Sequence, residues 1–386
     1  MKKFLIPFMA LALMGAVACS KDEDNNNEPP VDPATLPDAN YVVGRFVPQY
    51  QLQSMSYDQM TATYTWNSDS TLKSMSLAGN TIAFTYDNKK RQTKIEYKEN
   101  NTTHQQYTFT YNGDALKEFK LEEVNQYGNN TMMKGTTTYS GNRLQSVKYT
   151  DIHPLYAMEL IESLVPSLNL KDDDPNVNVS NFTTNYTWKG PNVTKENSEI
   201  KYTINGSLGQ LASQYDILSF NFDAILEQLG LSEVIPSEQI IPILEEYITL
   251  FGDSTCTVNS EATLSNEYTH DANFNPMYGL WTEGFIGQTI CLCKNNCTSR
   301  KMSNKMQIGI KFSIPKVSNL PTSISLTLRG IIALISSSEY CHNGVFEFTF
   351  NKEFPSETLT ATYSYDNLNR PIKVTSDGET LQYSYR

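Results

Sequence analysis

The sequence predicts a mainly β protein, and its composition and aromatic patterning support that prediction. Its 386 residues include 23 Tyr and 17 Phe, and charged residues make up only 19%. Such a composition suits half-exposed strand surfaces better than helices. Pairs of aromatic residues at i and i+2 recur along the chain, each followed by Asn, Asp or Gly. We therefore expect an antiparallel β-hairpin meander curled into an open or partial barrel, with a short helical insert.

The aromatic pairs define a repeating unit. Residues i and i+2 share one face of a strand, so each pair places two rings side by side. Asn, Asp and Gly accept the positive φ angles of tight hairpin turns, so each unit is predicted to be one hairpin arm. The units are Tyr64–Trp66, Phe84–Tyr86, Phe109–Tyr111, Tyr139, Tyr186–Trp188, Tyr268–His270, Tyr363–Tyr365 and Tyr383–Tyr385.

Helical spacing interrupts these units in the middle of the chain. Residues 154–165, 222–229 and 242–251 show apolar residues on one helix face, two of these stretches beginning with Pro. We therefore predict one domain over residues 41–386, with a helical insert at about 150–253 and a Cys-rich insertion at about 256–341. The helices are expected to supply core for the concave face of the sheet.

The N-terminus carries the pattern of an export signal. Lys2 and Lys3 precede an apolar stretch from Phe4 to Ala18, too short to span a membrane. Residues 1–18 are therefore predicted to be a signal peptide. The small residues directly before Cys19 resemble a bacterial lipobox, which implies a diacylglycerol and an N-acyl chain on the Cys19 lipid anchor. An ordinary signal peptide followed by a chance Cys is the alternative.

Residues 19–40 are polar, acidic and rich in Asn and Pro, and are predicted to form a solvated tether. The run Lys21–Asp24 resembles the signal that directs Bacteroidota lipoproteins to the cell surface. We therefore expect a protein lipid-anchored in the outer membrane and displayed on the cell surface, with the periplasmic face as the alternative.

The Tyr-x-Tyr-Asp units resemble YD repeats, most closely in Tyr363–Lys373 and Tyr268–Met277. Together with the lipobox and tether, the chain resembles Bacteroidota surface lipoproteins of unknown function that have a porin-like, YD-repeat-like β-meander. The resemblance covers residues 41–150 and 345–386, and it implies the curled sheet rather than an activity.

Five cysteines follow the anchor: Cys256, Cys291, Cys293, Cys297 and Cys341. Exported proteins meet an oxidising compartment, so we expect this pool to form two local disulfides and leave one thiol. A zinc site that includes His342 is the alternative, although the spacing of Cys291, Cys293 and Cys297 differs from a usual zinc knuckle.

The sequence contains no nucleophile elbow, zinc-protease motif, phosphate loop or dinucleotide fingerprint. We therefore assign no catalytic residue, no metal ligand and no cofactor besides the acyl chains. A non-catalytic binding or structural module is the leading expectation, with a glycan, lipid or protein ligand. A carbohydrate-active hydrolase and an apolar-ligand carrier are the alternatives.

The net charge of −12 makes a phosphate backbone a poor partner, so nucleic acid is excluded as the main ligand. No Lys or Arg occurs from Tyr202 to Cys293, while that stretch contains twelve acidic residues. The negative charge is therefore concentrated in one segment.

Overall fold

The computed structural model describes residues 45, 46, 48, 50–164, 176–209, 211, 237–280, 292–320, 324–376 and 378–386. The predicted signal peptide and tether, and the predicted helix at 222–229, lie outside these residues. Within them the chain forms nineteen strands and three helices. The prediction of a mainly β, antiparallel meander is confirmed.

The strands are β1 Leu52–Tyr57, β2 Met60–Trp66, β3 Leu72–Leu77, β4 Asn80–Tyr86, β5 Gln92–Glu99, β6 Thr102–Asn112, β7 Ala115–Asn125, β8 Gly128–Ser140, β9 Arg143–Thr150, β10 Val177–Lys189, β11 Asn192–Ser207, β12 Thr255–Phe274, β13 Asn295–Ser313, β14 Cys341–His342, β15 Val345–Glu353, β16 Glu357–Thr360, β17 Thr362–Tyr365, β18 Pro371–Ser376 and β19 Glu379–Tyr385. The helices are α1 Pro154–Leu164, α2 Ser237–Phe251 and α3 Leu326–Ser337, and a 3₁₀ turn spans Val317–Asn319.

The sheet curls until its two ends meet. Strands β1 to β13 pair in chain order, and β1 also pairs with β19, which leads through β18 to β17. At the other end β13 pairs with both β15 and β16. Strands β16 and β17 are separated only by the buried Ala361, whose N–H donates to the Thr298 carbonyl at 3.1 Å. The open ends of the meander are therefore joined by the chain itself, without a ladder between β16 and β17.

Alternation of side chains separates a polar outer face from an apolar inner face. On β2, Ala62 and Tyr64 are buried, while Thr63 and Thr65 face outward. Outward hydroxyls pair across strands, with Thr65 and Ser74 at 2.6 Å. Curvature alone does not shield the inner face of the sheet from water. Other elements must therefore pack on that face to complete the core.

Helix α1 supplies part of that core. Ala157 and Ile161 are fully buried and belong to the same hydrophobic cluster as the inner face of β10. The predicted helix from Pro154 is confirmed, with Pro154 in its first turn, where a missing N–H leaves no helical bond unmade.

Helices α2 and α3 pack on β15 to form a second core that includes Leu328, Ile332 and Phe346. The Glu246 carboxylate accepts hydrogen bonds from the N–H and hydroxyl of Ser325, the N-cap of α3, and so joins the two helices. The predicted helix 242–251 is confirmed, but α2 begins earlier and contains Pro242 within it. Helix α3 was not predicted. Among the described helices, none combines the length and the hydropathy that crossing a bilayer requires.

The predicted boundaries of the two inserts are wrong. Strands β10 and β11 lie inside the supposed helical insert, and the supposed Cys-rich insertion contains β12 and β13, the longest strands described, with 20 and 19 residues. These long strands carry few aromatic pairs because small or polar residues such as Ser260 and Ala262 occupy inward positions. The aromatic pattern therefore underestimated how far the meander continues.

Candidate functional site

One edge of the sheet repeats the same side-chain arrangement. The turns after β2, β4, β6, β8, β10 and β17 all lie at this edge, because alternate turns of an antiparallel meander share an end. The second aromatic residue of each unit lies beside them. We call this set the aromatic rim: Trp66, Tyr86, Tyr111, Tyr139, Trp188, Tyr365 and Tyr385.

A bulge precedes most of these residues. The strand register shifts just before Trp66, Tyr86, Tyr111, Tyr139, Trp188 and Tyr365. A bulge increases local twist and turns the following side chain away from the ladder. Each ring therefore leans toward the preceding arm of the meander rather than only toward its own hairpin partner.

In four of the seven rim residues, the polar atom of the ring donates to a backbone carbonyl at the start of the preceding strand. Trp66 Nε1 donates to Leu52 at 2.7 Å, and Tyr111 Oη to Gln92 at 2.8 Å. Trp188 Nε1 and Tyr385 Oη do the same to Leu144 and Pro371, at 2.7 and 2.9 Å. Burial raises the pKa of the Tyr111 and Tyr385 hydroxyls, so both stay protonated donors. These hydrogen bonds therefore connect neighbouring hairpin arms at the rim, where the backbone pairing of their strands has ended.

Two rim turns share a second device built on Asp and Arg. Asp87 Oδ1 accepts the backbone N–H groups of Lys89 and Arg91, and its Oδ2 lies 2.6 Å from an Arg91 guanidinium nitrogen. Partial burial acts to raise the pKa of Asp87, but the hydrogen bonds from Arg91 and the turn amides outweigh it and lower the pKa. The guanidinium also stacks 4.5 Å from the centre of the Tyr111 ring.

The last turn repeats this geometry with Asp366, Arg370 and Tyr385. Arg370 Nε donates to Asp366 at 2.7 Å, and the guanidinium lies 4.7 Å from the Tyr385 ring centre. In both turns the sequence Tyr-Asp-(x)3-Arg therefore stabilises the turn through its Asp. Its Arg guanidinium packs on a neighbouring aromatic ring.

A groove opens on the rim between β9 and β10. These strands pair only from Tyr149–Phe182 to Ser146–Asn185 and then diverge toward the rim. The resulting groove has a volume of about 670 Å³. Its lining includes Asn142, Arg143, Gln145, Tyr186 and Trp188. Tyr186 is only 5% exposed and belongs to the core, so the groove combines the partly exposed Trp188 ring with amides and a guanidinium.

A second polar cluster lies inside the sheet, on β11, β12 and β13. Glu196, Asn266 and Arg300 are at most 2% exposed. Tyr268 Oη donates to Glu196 at 2.7 Å, and Arg300 Nε donates to Asn266 at 3.1 Å. Burial and the Glu196 carboxylate raise the pKa of Tyr268. Among its described members this cluster contains one carboxylate, whereas a glycosidase needs two carboxylates across a cleft.

Asp271 occupies the place where the two ends of the sheet meet. Its carboxylate accepts the Tyr365 hydroxyl, and Asn296 Nδ2 lies 3.5 Å from it. Burial raises the pKa of Asp271. Tyr365 is thus a rim residue that donates to a carboxylate instead of a backbone carbonyl. Sequence reasoning missed the contacts of Asp271 and Glu196, because their partners Tyr365 and Tyr268 are 94 and 72 positions away in the chain.

The cysteine pool is spread over the sheet. Cys256 and Cys341 carry free thiols, and the cross-strand partners Phe312 and Phe346 lie between them. Three strand spacings amount to about 14 Å, whereas a disulfide requires Cα atoms within about 7 Å. A bridge between these two residues is therefore excluded. Cys293 and Cys297 are likewise unbridged in the described part, so the expected pair of disulfides does not occur among the described cysteines.

The other cysteines lie at the start of β13. Cys293 Sγ lies 3.8 Å from the Val193 carbonyl, and Cys297 Sγ lies 3.4 Å from the Ser299 carbonyl. Cys291 and the predicted anchor residue Cys19 are outside the described residues, so a local bridge that includes Cys291 remains a prediction. No group of three or more His, Cys, Asp or Glu side chains placed to hold a metal occurs in the described part.

No protein family and no curated protein matches this sequence. What the chain does is therefore inferred from the geometry of the aromatic rim, the groove and the charges around them.

Proposed function

We propose that the protein is a non-catalytic binding module, lipid-anchored in the outer membrane through Cys19 and displayed on the cell surface, that binds a saccharide in the groove between β9 and β10. The observation that carries the proposal is the groove lining, in which the partly exposed Trp188 lies with Asn142, Arg143 and Gln145. An aromatic face stacks on the apolar face of a sugar ring, while amide and guanidinium groups bond its hydroxyls.

The lining favours binding over hydrolysis. None of the described residues that line this groove is Asp or Glu. Glycoside hydrolysis ordinarily uses one carboxylic acid to protonate the leaving group and a second carboxylate as nucleophile or base. A hydrolase would therefore need a site elsewhere in the molecule.

An apolar-ligand carrier is less favoured. Such a carrier needs an apolar cavity, and α1 places Ala157 and Ile161 in the core that the inner sheet face forms. Helix α1 therefore covers part of the apolar sheet surface that a lipid chain would contact.

Binding is tested by screening a saccharide array with the mature chain carrying Cys19→Ala, followed by calorimetry on each hit. The double variant Asn142→Ala, Arg143→Gln should weaken binding by about tenfold or more, the loss of about two hydrogen bonds. The matched control Asn112→Ala, Lys117→Gln changes two strand residues beside the next turn along the rim and should bind normally. Equal binding by both double variants would place the ligand elsewhere.

The anchor is tested separately in cells. Cys19→Ala should abolish acylation, measured by mass spectrometry, and release the protein from the membrane fraction. Protease treatment of intact cells should digest the wild-type protein if it is displayed outside. Membrane retention of the Cys19→Ala variant would contradict the anchor without bearing on saccharide binding.

A further inference from the structure

The chain enters the folded body at the aromatic rim. Phe46 is 1% exposed and its ring lies 5.9 Å from that of Trp66. Arg45 Nη2 donates to Asp114, in the turn after β6, at 3.3 Å. Gly279 lies against the Arg45 carbonyl, which would be 2.7 Å from a Cβ at that position. The first described residues of the chain therefore lie at this edge.

The rim edge is basic, although the whole chain is acidic. Its six turns, the strand residues next to them and the chain entry carry seven cationic side chains and four carboxylates in the described residues. The cations are Arg45, Lys89, Lys90, Arg91, Arg143, Lys189 and Arg370, and the carboxylates are Asp69, Asp87, Asp114 and Asp366.

The carboxylates are largely used within the rim. Asp87 pairs with Arg91 at 2.6 Å and Asp366 with Arg370 at 2.7 Å. Asp114 is shared, at 3.3 Å from Arg45 and 3.6 Å from Lys89. Lys90 Nζ donates to a backbone carbonyl at 2.7 Å, and Lys189 lies exposed on the turn after β10. An excess of positive charge therefore faces solvent at this edge.

The opposite edge has the reverse sign. Turns and helices there carry Asp58, Asp151, Glu245, Glu246, Asp253 and Glu339 in the described residues, against Lys316 and Arg329. A body with one basic and one acidic edge is oriented by a negatively charged surface, which attracts the basic edge within about one Debye length, roughly 8 Å at physiological salt.

We propose that the edge bearing the aromatic rim docks on the phosphate-bearing headgroups of the membrane to which the chain is anchored. The proposal deepens the proposed function, since it rests on the lipid anchor at Cys19. The lipid anchor and the basic edge both hold the same end of the molecule at the membrane. Docking holds the groove between β9 and β10 beside the headgroups and turns the acidic helical edge away from them.

The test uses the mature chain with Cys19→Ala, so that docking is measured without the lipid. Sedimentation is compared between vesicles of phosphatidylcholine alone and vesicles that also contain phosphatidylglycerol. The protein should sediment with the phosphatidylglycerol vesicles only, and added salt should release it. The triple variant Lys89→Gln, Lys90→Gln, Lys189→Gln should bind these vesicles about tenfold or more weakly.

The matched control is Lys195→Gln, Lys305→Gln, Lys311→Gln. It lowers the net charge equally, but its lysines pair with carboxylates on the outer face of the sheet. Normal vesicle binding by this control supports the rim as the docking edge. An equal loss in both triple variants, or no binding of the parent chain to phosphatidylglycerol vesicles, overturns the proposal. Neither result depends on acylation of Cys19, so failure of the anchor is recognised separately.

Discussion

The bonds between neighbouring arms at the rim are open to a direct test at Tyr111. Tyr111→Phe removes one hydroxyl and keeps the ring that packs on the core and under the Arg91 guanidinium. The lost contact is the 2.8 Å hydrogen bond to the Gln92 carbonyl. The matched control is Tyr127→Phe, because Tyr127 is 90% exposed in the turn between β7 and β8.

The magnitude follows from what the substitution leaves behind. A typical intramolecular hydrogen bond contributes about 0.5 to 1.5 kcal/mol, and an acceptor left unsatisfied in a buried place costs about 1 to 3 kcal/mol. Gln92 is fully buried, so water reaches its carbonyl poorly. We therefore expect Tyr111→Phe to lower the free energy of unfolding by about 1 to 2 kcal/mol, and Tyr127→Phe to change it by less than about 0.5 kcal/mol.

Urea unfolding followed by circular dichroism measures both values on the mature chain carrying Cys19→Ala. The slope against urea should stay the same, so that the shift in midpoint reports stability alone. If Tyr111→Phe unfolds at the same midpoint as Tyr127→Phe, the rim bonds do not hold the arms together and the reasoning fails.

Three further predictions concern the core, the pH dependence of stability and the thiols. Gly135→Ala should destabilise the fold by about 1 to 3 kcal/mol in the same urea assay, since its Cβ would lie 2.1 Å from the Phe119 ring; no change would show that the ring moves freely. Burial lowers the pKa of His270 from 6.5 to about 4, so the unfolded chain binds the proton first and stability should fall as pH drops from 6.5 toward 4. The His270→Phe variant should lose that part of the pH dependence, and an unchanged pH profile would contradict the assignment. Thiol labelling of the native protein should modify half-buried Cys341 before Cys256, because burial raises the pKa of the Cys256 thiol to about 11. Labelling in the reverse order would be inconsistent with this burial.

Local sequence was enough to predict the hairpin arms. Phe84, Tyr86 and Asp87 lie within four residues, so spacing, ring orientation and turn chemistry can be inferred together. The structure confirms an arm that ends at Tyr86 and a turn that Asp87 holds. The helix beginning at Pro154 was predictable for the same reason. Helix α3 was missed because its burial depends on α2, which is distant in the chain: Glu246 and Ser325, which join the two helices, are 79 positions apart.

The candidate sites needed the fold. Tyr268 and Glu196 are separated by 72 positions, and no local pattern brings them together. The groove exists because β9 and β10 stop pairing before the rim, a geometry set by sheet curvature and bulges rather than by residue type. The long strands β12 and β13 were not predicted as part of the meander, because several of their inward residues, such as Ser260, Ala262 and Asn266, are small or polar instead of aromatic.

By itself, the sequence determined the β-hairpin arms, the turn chemistry and the alternation that gives the sheet one apolar face, because these depend on residues a few positions apart. Only the tertiary structure decided that the ends of the sheet meet at Ala361, that rim aromatics bond to the preceding arm, and that basic and acidic groups gather at opposite edges. The reason is that those features depend on which strand becomes a neighbour of which, and that is settled by packing of the whole sheet.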